Sequence, residues 1–170
     1  MKSSQNDRHK LMYLYIKQKV FSMGDKFFVT DANGDTRYSV MGEVFSFGKK
    51  LHIFDRSENE VAYIQQKVFS FLPRYYVTVK GTQVAEVVKE FTLFRNEYTV
   101  KGTGWTVHGN FIDHSYQIYD SGKPIAEVQK RWLSWGDTYE INIDDSADEL
   151  LALCVCLVID ACLEAQRNSD

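Results

Sequence analysis

Proline is scarce, with two residues in 170, and the three cysteines, Cys154, Cys156 and Cys162, are confined to one apolar segment near the C-terminus. Two prolines against ten tyrosines and eleven phenylalanines exclude a proline-rich linker and favour strands. An odd, clustered set of cysteines is not a disulfide framework, so buried thiols are expected. Surplus positive charge is missing too. A net charge of −3 gives no global attraction to nucleic acid, and any anion binding must come from a local patch. The opening MKSSQNDRHK is followed by no apolar stretch able to serve as the core of a signal peptide, so the expected location is cytoplasmic. No apolar run reaches membrane length. The longest, Leu150 to Leu163 with Asp160 inside it, would extend about 21 Å as a helix against a hydrocarbon core of about 30 Å, and no Lys or Arg flanks it immediately. An integral membrane protein is therefore not expected.

Catalytic signatures are equally sparse. The serine of the recurring VFS has no GxSxG elbow around it. KGTGW, with Gly102 and Gly104, follows a strand pattern and opens no helix, which fails the context of a dinucleotide loop. Cys154 and Cys156, two apart, would point to different sides of a helix, poor geometry for one metal. His108, Asp113 and His114 form the one local group of ionisable side chains, but their spacing matches no metal motif, and they fall in expected turns. His9 and His52 stand apart. Neither cofactor nor metal is expected.

What the chain does contain is a repeat. YIKQKVFS (15–22) returns as YIQQKVFS (63–70), 48 positions on, with seven of eight letters kept. Half that period places YSVMGEVFSFGKKLHIF (38–54) in the same register, and AEVVKEFTLFRNEYTV (85–100) and AEVQKRWLSWGDTYEI (126–141) continue it. Each unit is an alternating apolar/polar run, a polar turn, and a second run rich in aromatic and β-branched residues, the pattern of a β-hairpin. DANGD, DRSEN, VKGT and DSGKP supply reversals between units. The irregular segment 101–120 adds one more strand pair, so about six hairpins, or about twelve strands, are expected. Such a meander has two exposed edges unless it closes into a barrel, and a barrel of that size has a lumen too wide for wall side chains to fill. SADELLALCVCLVIDAC offers the filling: Ser146 and Glu149 have capping-box spacing ahead of a segment apolar on every side. The expected organisation is a single domain over 1–170, a closed antiparallel barrel over 11–144 and an enclosed helix over 146–164.

YIKQKVFSMGDKFFVTDANGDTRYSVMG at the start, WTVHGNFIDHSYQIYDSGKPIAEV in the centre and DELLALCVCLVIDAC at the end carry a family likeness. Through them the chain resembles the LURP-one-related branch of the Tubby C-terminal-like superfamily. The resemblance implies a barrel of about twelve strands around an apolar C-terminal helix. It carries over no catalytic residue. The wider superfamily includes phosphoinositide-binding Tubby domains and, by fold similarity, phospholipid scramblases, so it implies fold strongly and function weakly.

The register also points to a surface. Nine places from the starts at 14, 38, 62, 85 and 126 lie Met23, Phe47, Phe71, Phe94 and Trp135, each apolar and at a hairpin tip. Twelve places from the first three starts lie Lys26, Lys50 and Arg74, with Lys49 and Arg95 nearby. Turned outward, these residues would make an apolar, basic rim suited to anionic phospholipid, where insertion and attraction add. Turned inward, the tips would close the barrel's end over the helix and leave the basic residues as solvated charges. Asp25 and Asp137, beside two tips, oppose an anionic preference. Lys19, Glu43, Lys67, Glu90 and Arg131 share another register position, and their alternation predicts lateral ion pairs between neighbouring hairpins. The functional expectation is a non-enzymatic binding or scaffold domain contacting anionic phospholipid at this rim, peripheral to the membrane. The alternative is a protein–protein interaction or regulatory module. A hydrolase or metal-dependent enzyme at Asp113 and His114, and a lipocalin-like carrier with ligand in the lumen, rank below these.

Overall fold

The computed structural model describes residues 11–17, 26–91, 96–133 and 136–168, with the backbone alone at 96, 132, 133, 136 and 137. Twelve strands run in chain order: β1 (Leu11–Lys17), β2 (Lys26–Thr30), β3 (Thr36–Gly42), β4 (Lys50–Phe54), β5 (Glu60–Gln66), β6 (Arg74–Val79), β7 (Thr82–Phe91), β8 (Asn96–Lys101), β9 (Trp105–Asn110), β10 (Ser115–Asp120), β11 (Lys123–Leu133) and β12 (Gly136–Asp144). Each pairs antiparallel with the next, and β1 pairs with β12 from Leu11↔Asp144 to Lys17↔Thr138, closing the barrel. The strand pattern read from the repeat is the one observed. Its register starts, Leu14, Tyr38, Ala62, Ala85 and Ala126, are all buried, as the period-2 alternation of a one-sided wall requires.

Helix α1 (Glu149–Arg167) fills the barrel. Every residue from Leu151 to Leu163 is buried, in one core with inward residues of the surrounding strands. All three cysteines lie there as free thiols. Burial pushes Cys156 up to about 12 and Cys162 up to about 11, which keeps both protonated at neutral pH. The helix takes the place in the lumen that a lipocalin-like carrier would give its ligand. Among the described residues no helix is long and apolar enough to cross a membrane.

The helix begins later than the capping-box spacing predicts. Asp148 is the N-cap, its carboxylate accepting the Leu151 N–H at 3.0 Å. Ser146 turns back instead, its hydroxyl donating to Asp144 Oδ1. Glu149 is drawn to the wall, where Oε1 accepts from Arg37 Nε at 2.9 Å and from the Tyr38 hydroxyl at 2.7 Å. The helix also runs on to Arg167, where a cation favours the carbonyl end.

The two ends of the barrel differ. Short turns gather at the end where α1 starts. Asp31 Oδ1 accepts the N–H groups of Asn33 and Asp35, and Asp55 Oδ1 repeats the device with Ser57 and Asn59. Longer connections, 43–49 and 67–73, gather where α1 finishes, at the same end as the 111–114 connection. Lys49 Nζ, 2.6 Å from Glu164 Oε2, ties the helix to that mouth.

Candidate functional site

The mouth around the end of α1 carries an apolar surface. In the β3–β4 and β5–β6 connections, Phe45, Phe69 and Phe71 stand almost wholly in solvent, at 101%, 93% and 99% exposure, and Phe47 is 71% exposed. Val44 beside them, Phe91 at the end of β7 and Ile112 in the β9–β10 connection are exposed as well. The tips of Phe47 and Phe71 do not fold inward. Of the other register positions, Met23, Phe94 and Trp135 lie outside the described residues, as does Arg95. The register count missed Phe45 and Phe69, the phenylalanines of the repeated VFS itself, because alternation along a strand does not continue around a turn.

These tips are braced. The Ser46 hydroxyl donates to the Gly48 carbonyl at 2.6 Å, while Lys49 and Gln66 exchange hydrogen bonds between the connections, Lys49 N–H to Gln66 Oε1 at 2.9 Å and Gln66 N–H to the Lys49 carbonyl at 2.8 Å. Gly48 has φ +85, and a Cβ there would meet Val68 Cγ1 at 2.7 Å, so only glycine allows the two tips to approach this closely. The Phe47 and Phe69 rings lie 5.5 Å apart across the gap. Two hairpins thus present their phenylalanines as one patch, held out by hydrogen bonds rather than by core packing.

The basic half of the expected surface is largely neutralised. Lys50 Nζ is 3.1 Å from Glu43 Oε2, Arg74 is 3.0 Å from Glu86 Oε1, and Lys49 holds Glu164. Lys26 reaches along the outer wall, over the Phe28 ring and 3.9 Å from Glu58, away from the phenylalanines. Among the described residues, the lateral pairing of hairpins expected from alternating charge is not formed by Glu43, Lys67 or Arg131. Glu43 pairs within its own hairpin, Lys67 lies over the Tyr76 ring, and Arg131 pairs with Glu140 across β11 and β12. Lys19 is outside the described residues. A cross-strand neighbour in the same hairpin is simply nearer than one a hairpin away.

His52 sits between two of these carboxylates, Nδ1 2.7 Å from Glu60 Oε2 and Nε2 3.0 Å from Glu43 Oε1. Burial opposes its charge, but the bonds to Glu60 and Glu43 outweigh that and raise its pKa above the usual 6.5. The protonated form is therefore the one the fold favours. Its contribution is fully present below 6.5 and is lost as pH rises through the folded midpoint. In an NMR titration His52 is expected to show a midpoint above 6.5, and Glu43→Gln to lower it; an unchanged midpoint in that variant would show the contact to be inconsequential.

The histidines and aspartate of the central segment each take a separate partner. His108 Nδ1 is 3.3 Å from Glu97 Oε1 on the outer wall, and Asp113 accepts from Asn110 within the connection. His114 is buried, stacked on Tyr139 with centroids 4.0 Å apart and with Nδ1 3.3 Å from Asp160 Oδ1 of α1. Among the described residues no three metal-ligating side chains come together. The His114–Asp160 contact joins the wall to the helix, and the sequence offered no sign of it beyond the one charge interrupting an apolar helix.

Comparison with known proteins places this architecture. The LURP-one-related family model matches residues 12–160. The chain is 33% identical over 153 residues to the uncharacterized protein YxjI of Bacillus subtilis (strain 168), covering 90% of this chain and 94% of that one. An X-ray structure of an Arabidopsis thaliana protein superimposes with a TM-score of 0.66 at 17% identity, covering 90% of this chain and 91% of the other, a likeness of fold.

Proposed function

This chain belongs to the LURP-one-related family, and from that premise we propose that it is a non-enzymatic binding domain that docks peripherally on a phospholipid surface through the phenylalanines of its mouth. The observation that supports this reading is the braced patch of Phe45, Phe47, Phe69 and Phe71 held out in water. Removing one phenylalanine side chain from water contributes about 1.5–3 kcal/mol, so four outweigh the attraction of a few partly paired cations, each worth about 1 kcal/mol beside an anionic leaflet. Apolar insertion is thus the main term, and charge the smaller one.

Co-sedimentation with vesicles of phosphatidylcholine, alone or mixed with phosphatidylserine, tests the reading. The Phe45→Ser/Phe71→Ser variant is expected to bind at least tenfold more weakly to both, with unfolding free energy unchanged within about 0.5 kcal/mol because neither ring touches the core. Lys50→Glu/Arg74→Glu is expected to lose less. Absence of wild-type binding to either vesicle overturns the lipid reading. The ion pairs that neutralise the rim cations favour, as second reading, a protein partner with an apolar face, since interface cores are poor in free charge.

A further inference from the structure

The mouth where α1 finishes also holds a cavity of about 280 Å³, lined by Ile112, His114, Leu163, Gln166 and Arg167. It lies between the β9–β10 connection and the last turns of the helix. Among these five residues His114 is the buried polar one, 5% exposed. The connection carries it inward at φ +49, its N–H donating to the Phe111 carbonyl at 3.1 Å, and the ring stacks on Tyr139. The two ring nitrogens are placed differently. Nδ1 is sealed from solvent, 3.3 Å from Asp160 Oδ1 and with no well-aligned hydrogen bond. Nε2 has no hydrogen-bond partner among the described residues and, unlike Nδ1, is not sealed. With Tyr139 against the ring and Asp160 at the far nitrogen, the cavity is the side to which Nε2 opens.

A carboxylate beside Nδ1 repels a lone pair there and holds the ring proton on that nitrogen, which leaves the lone pair on Nε2. The buried imidazole thus offers the cavity a hydrogen-bond acceptor. Arg167, exposed and without an ion-pair partner among the described residues, adds a planar cationic fork that matches a carboxylate. Leu163 and the 78% exposed Ile112 add hydrocarbon. We propose that this cavity binds a small aliphatic hydroxy acid. Its hydroxyl donates to His114 Nε2, its carboxylate accepts from the Arg167 guanidinium, and its short carbon chain lies against Ile112 and Leu163. A plain carboxylic acid has no proton to give Nε2, and a cation is opposed by Arg167, so neither complements the site as well. The cavity is smaller than drug-sized sites, which limits the chain to a few carbons. None of this depends on the lipid reading, because the ligand is water-soluble and touches none of the mouth phenylalanines.

The test is an NMR titration of the full chain at neutral pH, read at the His114 ring nitrogens and the Leu163 methyl groups, with 2-hydroxybutanoate, butanoate and butane-1,2-diol. Before any ligand is added, the His114 proton is expected on Nδ1. 2-Hydroxybutanoate should shift both sets of signals saturably. Butanoate, which lacks the hydroxyl, should bind about three- to tenfold more weakly, and the uncharged diol at least about tenfold more weakly. Arg167→Gln, at the exposed end of α1, should weaken 2-hydroxybutanoate at least about tenfold and leave the diol unchanged. A His114 that only joins wall to helix predicts no saturable shift with 2-hydroxybutanoate, and that result overturns the proposal. So do equal binding of butanoate or of the diol, a ring proton on Nε2, or an Arg167→Gln variant that binds as the wild type does. The analogue series is read on the wild type, so it decides without any variant, and it uses no vesicles, so its failure is distinct from failure of the lipid reading.

Discussion

Leu157→Ala is expected to lower the unfolding free energy by about 2–5 kcal/mol, towards the upper part of that range. Leu157 is fully buried near the middle of α1, with wall residues on every side. The cost of such a truncation depends on how far the surroundings collapse into the space left behind. Here the surroundings are a sheet closed through β1 and β12, whose circumference is set by its hydrogen-bond ladders, so the wall cannot move in without breaking them. Urea unfolding of the variant beside the wild type measures the loss. A change below about 1 kcal/mol would mean that the helix is not packed as the core of the barrel. Phe45→Ala is the matched control: a larger side chain is removed, yet from solvent, and the change should stay within about 0.5 kcal/mol.

Gly109→Ala should be comparably damaging, although the residue lies at the surface. Gly109, on β9 opposite Tyr116 of β10, has φ +146, where side chains other than hydrogen are strained. A Cβ there would lie 2.5 Å from Tyr116 Cα and 2.6 Å from the Ser115 carbonyl oxygen. Both are backbone atoms, so no rotamer change relieves the contact, and the β9–β10 ladder itself must open. Backbone strain of about 1–3 kcal/mol and overpacking of about 1–3 kcal/mol together predict a loss of about 2–6 kcal/mol. Gly34→Ala separates the two contributions. Gly34 also has positive φ, at +84, but nothing lies within 4 Å of its Cβ position, so only the conformational cost of about 1–2 kcal/mol applies. Thermal unfolding of both variants decides the matter: equal losses would show that the close approach at Gly109 contributes nothing.

The candidate site was legible in part. Counting from the repeat reached Phe47 and Phe71 and the positions of Lys50 and Arg74, because hairpins of equal length put equivalent residues at equivalent tips. It could not show that Phe45 and Phe69 point outward too, since Phe69 adopts φ +58 and the direction of a turn side chain follows the turn's geometry. Nor could it show that Lys50 and Arg74 hold carboxylates.

Strand number, antiparallel order and the buried helix were determined by the sequence itself. They rest on period-2 alternation, on turn chemistry and on an all-round apolar run behind capping residues, which act between residues a few positions apart. Only the tertiary structure decided that Lys49 holds Glu164, that His114 meets Asp160, that Glu149 turns to Arg37 and Tyr38, and that the phenylalanines of two hairpins form one patch. Those contacts depend on the closing of the barrel around α1, which brings together groups as much as 115 residues apart, and no local pattern encodes a distance across a lumen.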